Sequence, residues 1–309
     1  MSDLAAPGSR LSAGSATRRG PSWWRDPWRK PRILASITWL YIAWSILPIL
    51  IAIALSFNAG RSNTTFQTFG LRWWINDPTD GGALLQDPVI RRAILQTYIL
   101  SFTTMITAVP LGVLFAIGID RWRGRPADGA NFLMLLTFVM PEIIIGVAML
   151  TVIQHLLSKI GVHLGTGAQL LGLITYQISY PVIIVRARLL SIGREYEEAG
   201  MDLGASPRQA VRSVLLPLLY PAILASLAIV FADTVDDFVT VRYLSGPASS
   251  QPLSLYVYTN TRAAATPAVN AAATFMMIST TLVIVLGYLA YKRFARGQEG
   301  ADMQNFTQL

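Results

Sequence analysis

Six stretches of this chain are each long and apolar enough to cross a lipid bilayer, and nothing else in it limits the fold so tightly. A hydrocarbon core about 30 Å thick needs roughly 20 mostly apolar residues in a helix. The windows lie near residues 33–57, 92–119, 131–157, 167–190, 214–241 and 267–291. The first is the cleanest, and the fifth carries Pro217, Pro221 and three aspartates. Charged residues make up 14% of the chain and hydrophobic ones 53%, well short of the roughly 25% charge of a soluble domain. The chain is therefore predicted to be an all-α integral membrane protein with six transmembrane helices.

The basic residues set its orientation. Seven of them fall within residues 1–32, followed by Arg121, Arg123 and Arg125, then Arg186, Arg188, Arg194, Arg208 and Arg212, then Lys292, Arg293 and Arg296. These account for eighteen of the 25 Lys and Arg residues. The positive-inside rule then assigns both termini and the connection from Glu195 to Val214 to the cytoplasm. The net charge of +8 reads as topology rather than as a nucleic-acid surface.

The sequence divides into a basic cytoplasmic tail (1–32), a first transmembrane helix (33–57), a membrane domain (90–290) and a cytoplasmic tail (291–309). The first tail has no apolar core of the kind a cleaved signal peptide requires. Its Trp23, Trp24 and Trp28 alternate with basic residues, a pattern suited to lipid headgroups. On the opposite side, residues 58–90 form the longest connection, including "FGLRWWINDPTDGG". It reads as a cover over a pathway, a receiver for an external partner, or a plain solvated loop.

Much chemistry is excluded. With no cysteine, neither a disulfide nor a thiol nucleophile is possible. No Gly-x-x-x-x-Gly-Lys-Ser/Thr loop occurs, so ATP hydrolysis is not expected of this chain, and neither Gly-x-Ser-x-Gly nor His-Glu-x-x-His is found. His155 and His163 stand eight residues apart without a metal-ligand pattern. The chain is expected to be no enzyme and to hold no cofactor or metal of its own.

The polar stretch "EYEEAGMDLGASPRQAVRSVLLPLL", from Glu195 to Leu219, interrupts this apolar background. Good helix formers run from 195 to 203 with Glu at the start, and Gly204 is a natural left-handed stop. Ser206, Pro207 and Gln209 have the spacing of a capping box that opens a second helix. Ala199, Gly200 and Gly204 permit close approach of another chain. The spacing predicts a helix–turn–helix at the membrane surface, suited to a groove in a partner protein or simply a well-capped loop.

Glu198-Ala199-Gly200, three residues, Gly204, nine residues, then Val214-Leu215-Leu216-Pro217 resembles the EAA signature of permease subunits of bacterial ABC importers of type I. Gly200 replaces the second alanine of that signature, and Val214 its isoleucine. The pieces "DRWRGR", "MPEIIIGVAML", "EEAGMDLGAS" and "TVDDFVTVRYLSGP" are similar to spermidine/putrescine permeases of the PotC type. The resemblance implies a type I importer transmembrane domain in which Glu198, Ala199, Gly200, Gly204, Leu216 and Pro217 form a coupling helix and its continuation. That helix would dock into a separate ATPase, which alone binds ATP and Mg. It further implies two ATPase copies, a second homologous permease, an external solute-binding protein and an inner-membrane location.

Carboxylates mark a possible pathway. Asp233, Asp236 and Asp237 are spaced i, i+3, i+4, which predicts that they share one side of the fifth helix. Glu142 follows Pro141 in the middle of the third window, where the proline can bend the helix. Four such groups without basic partners in those spans suit a dication or polycation, and Tyr176, Tyr180, Phe231, Phe238 and Tyr243 could stack on alkylammonium groups. Solvated or hydrogen-bonded carboxylates and ordinary aromatic packing are the simpler readings. Other cargoes (ferric iron, an aminophosphonate, an amino acid, thiamine) and an ion-coupled secondary carrier remain open at this point.

Overall fold

Hydrocarbon leaves a backbone few ways to satisfy its polar groups, and this chain takes the helical one. The computed structural model describes residues 32–306 apart from 63, 64, 80, 123, 264 and 265. The basic tail with Trp23, Trp24 and Trp28 therefore lies outside the described residues. The α-helices are α1 (Arg32–Ser56), α2 (Pro88–Arg121), α3 (Arg125–Val139), α4 (Glu142–His155), α5 (Thr166–Gln177) and α6 (Ser179–Ile192). They continue with α7 (Glu195–Asp202), α8 (Pro207–Ala210), α9 (Leu216–Asp236), α10 (Val239–Leu244), α11 (Leu253–Ala263) and α12 (Pro267–Phe306). Among the described residues, β-pairing is confined to one isolated bridge, Asn58 with Phe69.

Two units divide the chain, residues 1–51 and 52–309. In the first, α1 is apolar around its whole circumference, with Pro48 inside it. In the second, α2 packs along α6 and α9, and α10 packs against α4 and α5. Val109, Val113 and Ala116 of α2 meet Val182, Val185 and Leu189 of α6 and Leu219 and Val230 of α9. In lipid such contacts work by close packing rather than by escape from water. Gly112 makes the α2–α6 approach possible, since a Cβ there would stand 2.4 Å from Pro181 Cγ.

The third window is not one helix. α3 and α4 meet at a bend of 108°. Met140 is extended (φ −63°, ψ 135°) because it precedes Pro141, whose ring disfavours a helical neighbour. Among the described residues, five helices are long and apolar enough to span a bilayer, or six if this bent pair counts as one. Glu142 consequently sits in the first turn of α4, not mid-helix.

The second helix of the polar insert differs from expectation too. It does not lie free on the surface but runs on into the fifth span, Pro207–Asp236. A π-turn, Val211–Leu215, joins α8 to α9. Pro217 has no N–H to return to the carbonyl four residues back, so a wide turn costs least there. The last helix continues to Phe306, beyond the predicted end of the span near residue 291.

At the end of the bundle away from α7, a buried polar network replaces apolar packing. Gln96 Nε2 donates to Gln169 Oε1 (2.9 Å), and Gln169 Nε2 donates to Ser245 Oγ (2.8 Å) and the Ser250 carbonyl (2.9 Å). The connection after α1 is built rather than merely solvated. The buried Asn58 amide accepts from the N–H groups of Gly60, Gln67 and Thr68 and donates to the carbonyls of Ser62 and Thr65. Arg72 pairs with Asp77 at 2.5 Å, and Phe57 stacks between Phe69 and Trp74.

Candidate functional site

Two carboxylates converge inside the bundle from different helices. Tyr176 Oη of α5 lies 3.4 Å from Glu142 Oε1 of α4 and 3.2 Å from Tyr180 Oη of α6. Tyr180 also faces the Asp233 carboxylate, whose Oδ2 accepts from Gln177 Nε2 at 2.6 Å. Glu142 and Asp233 are thus held by adjacent residues at the end of α5, Tyr176 and Gln177. Among the described residues neither forms an ion pair with Lys or Arg. Gln177 Oε1 is buried without a partner. The sequence reading missed Gln177, although an amide inside an apolar window is itself a signal, because hydrocarbon offers it nothing to bond.

The three aspartates of the fifth helix do not stay together. α9 ends at Asp236, and Asp237 leaves the helix with ψ 114°. Its Oδ1 accepts from the Thr240 N–H (2.9 Å), closing the turn into α10, and its carbonyl accepts from Ser254 Oγ. Asp237 is buried, Asp233 half-buried and Asp236 exposed. Asp236 lines a separate cavity of about 700 Å³ between α9, α11 and α12, together with Tyr258, Arg262, Met276 and Met277.

The aromatic residues divide likewise. Phe231 is 1% exposed and packs on Tyr98 and Phe102, so no ligand reaches it. Phe238 stacks on Tyr258, and Tyr243 lies over Gly146. Of the five, Tyr176 bonds Glu142 and Tyr180 faces Asp233. His155 Nδ1 bonds the Thr151 carbonyl one turn back.

At the opposite end of the bundle, α7 carries Glu195, Glu197 and Glu198 in its first turn, where the helix dipole favours them. None of its residues is buried. Glu198 and Ala199 are exposed, and Leu203 just beyond the helix is 91% exposed. A Cβ on Gly200 would touch Val214 at 3.4 Å, and Gly204 holds φ +91°. The capping box forms with both bonds, Ser206 N to Gln209 Oε1 (2.8 Å) and Gln209 N to Ser206 Oγ (3.4 Å). Leu216 and Pro217 follow the π-turn as the first residues of α9.

Residues 82–299 match the family model described as the binding-protein-dependent transport system inner membrane component. The chain belongs to that family. Among curated relatives, the putrescine transport system permease protein PotI of Escherichia coli (strain K12) is 29% identical over 278 residues, covering 89% of this chain and 93% of the relative. The spermidine/putrescine transport system permease protein PotC of Haemophilus influenzae is 27% identical, covering 81% of this chain and 93% of the relative. The fold is shared with the crystal structure of a bacterial ABC transporter involved in import of the acidic polysaccharide alginate. There the TM-score is 0.68 at 19% identity, over 85% of this chain and 96% of that one. This member of the inner-membrane transport family is thus an ABC importer permease of type I, a transport subunit set in a membrane.

Proposed function

We propose that this chain is the translocating permease of an ATP-driven importer of polyamines, taking putrescine- or spermidine-like cations from an external binding protein and passing them by Glu142 and Asp233. The observation that carries the reading is the pair of carboxylates in the bundle interior, bonded only by neutral groups. An uncompensated carboxylate at mid-bilayer costs at least about 2.5 kcal/mol. A passing ammonium group offsets that cost, and the hydroxyls of Tyr176 and Tyr180 and the Gln177 amide hold the carboxylates ready for it. Asp236 extends the acidic lining on the face of the cavity beside α12, whereas Asp237 serves as a structural brace.

In this reading α7 lies on the cytoplasmic side, as do both termini, and the protein sits in a bacterial inner membrane. Glu198, Ala199, Gly200 and Gly204 present the helix to a cleft in a separate ATPase, with Leu203 as its apolar knob. Leu216 and Pro217 carry the displacement into α9 and so to Asp233. Two ATPase copies supply the ATP and Mg chemistry, and a second homologous permease completes the pathway. Supporting the cargo are the relatives named for putrescine and spermidine.

Accumulation of labelled putrescine and spermidine by cells carrying the whole transporter tests it. Uptake that disappears when this chain alone is deleted is expected; undiminished uptake in the deletion strain rejects the cargo.

A further inference from the structure

α7 hangs between two glycines in left-handed conformations, Gly193 (φ +74°) and Gly204 (φ +91°), each facing open space. Glycine there is a permissive joint, and α7 rests on α8 and the π-turn without burying a residue. Two ion pairs tie it in addition to the end of α2. Arg121 of α2 binds Glu197 of α7. In return Arg194, just before α7, donates to the Asp120 carbonyl (2.6 Å) and stands 3.7 Å from the Asp120 carboxylate. The two pairs are crossed, with Arg121 of α2 on Glu197 of α7 and Arg194 before α7 on Asp120 of α2. Half-exposed pairs of this kind add little to stability, which leaves positioning as their contribution.

α2 has 34 residues, a rod of about 51 Å at the usual rise. Near its other end it joins the buried network: Gln96 bonds Gln169 of α5, and Thr97 Oγ accepts from the N–H of Leu253 in α11 at 2.8 Å. α5 carries Tyr176 and Gln177 of the carboxylate site, and α11 lines the separate cavity at Asp236.

Resting on the docking role proposed for α7, we infer that Asp120, Arg121, Arg194 and Glu197 form a latch that fixes α7 to α2 and passes its displacement along α2 to the far network. They are positioning residues. They neither touch solute nor hold the ATPase.

Charge reversal in the complete transporter, reconstituted with its ATPase, companion permease and binding protein, tests this by a double-mutant cycle. Arg121→Glu and Glu197→Arg are each expected to lower solute taken up per ATP hydrolysed by about fivefold or more, with the ATPase subunit still bound. The combined variant is expected to return within about twofold of the unaltered protein. Single variants that transport normally, single variants that lose the ATPase, or a double variant no better than the singles would each overturn the latch. An unaltered chain that binds no ATPase would overturn the proposed function itself, and is seen before any variant is made.

Discussion

Tyr176 joins Glu142 of α4 to Tyr180 of α6 through one hydroxyl, 3.4 Å from the carboxylate and 3.2 Å from the second phenol. The chain thereby gathers α4, α5, α6 and α9 around Glu142 and Asp233 without spending a basic residue on them.

Removing either end of that contact separates charge from hydrogen bonding. Glu142→Gln is expected to reduce uptake of a cationic solute about tenfold or more, the equivalent of roughly 1.4 kcal/mol. Tyr176→Phe loses the hydroxyl's bonds to Glu142 and Tyr180, and the first of these, about 1 kcal/mol, is expected to lower uptake roughly fivefold. Initial uptake rates over a range of solute concentrations measure both. Unaltered kinetics in Glu142→Gln would return the residue to a packing role.

Asp237 and Asp236, one residue apart, are expected to fail differently. Asp237→Ala strips the buried Thr240 N–H of its acceptor and lowers stability by about 1–3 kcal/mol. Asp236→Asn, exposed at the helix end, changes stability by less than about 0.5 kcal/mol. Thermal unfolding in detergent distinguishes them, and equal melting shifts would contradict the division.

Close approach of α2 and α6 depends on Gly112. Gly112→Ala drives a Cβ to 2.4 Å from Pro181 Cγ and 3.0 Å from the Ile178 carbonyl, an overpacking cost of about 1–3 kcal/mol. Gly118→Ala on the same helix meets nothing within 4 Å and, by helix propensity, gains up to about 1 kcal/mol. A melting temperature that falls for both would remove the packing explanation.

Glu198 and Leu203 are exposed at the end of the bundle assigned to the ATPase. Glu198→Ala is expected to loosen the subunit, and Leu203→Glu to release it, each with the permease still inserted. Co-purification from membranes reads the result, and full retention in both variants would argue against docking through α7.

Residue types gave some of this directly, and geometry had to supply the rest. Unbroken apolar length identifies α1 and α2, and Ser206, Pro207 and Gln209 predict a cap that forms with both its bonds. Pro141 announces a bend, but not one of 108°, because the extended Met140 and Pro141 together turn the chain further than a lost hydrogen bond implies. The i, i+3, i+4 argument assumes that the helix continues through Asp237, and α9 stops one residue short. Gln96, Gln169 and Gln177 each interrupt an apolar window. Their partners lie about 56 to 81 residues away in sequence, beyond the reach of any periodicity argument. Arg121 and Arg194 were legible as topology alone, since pairing across two helices is a property of the folded chain.

The central claim is that this permease moves a polyamine with energy drawn from another protein. Labelled putrescine uptake into proteoliposomes tests it most directly, with this chain, its companion permease, the ATPase and the binding protein all present or each left out in turn. Saturable uptake that requires ATP and every one of these components is predicted. Uptake by this chain alone without ATP, or no polyamine uptake by the complete assembly, would contradict it.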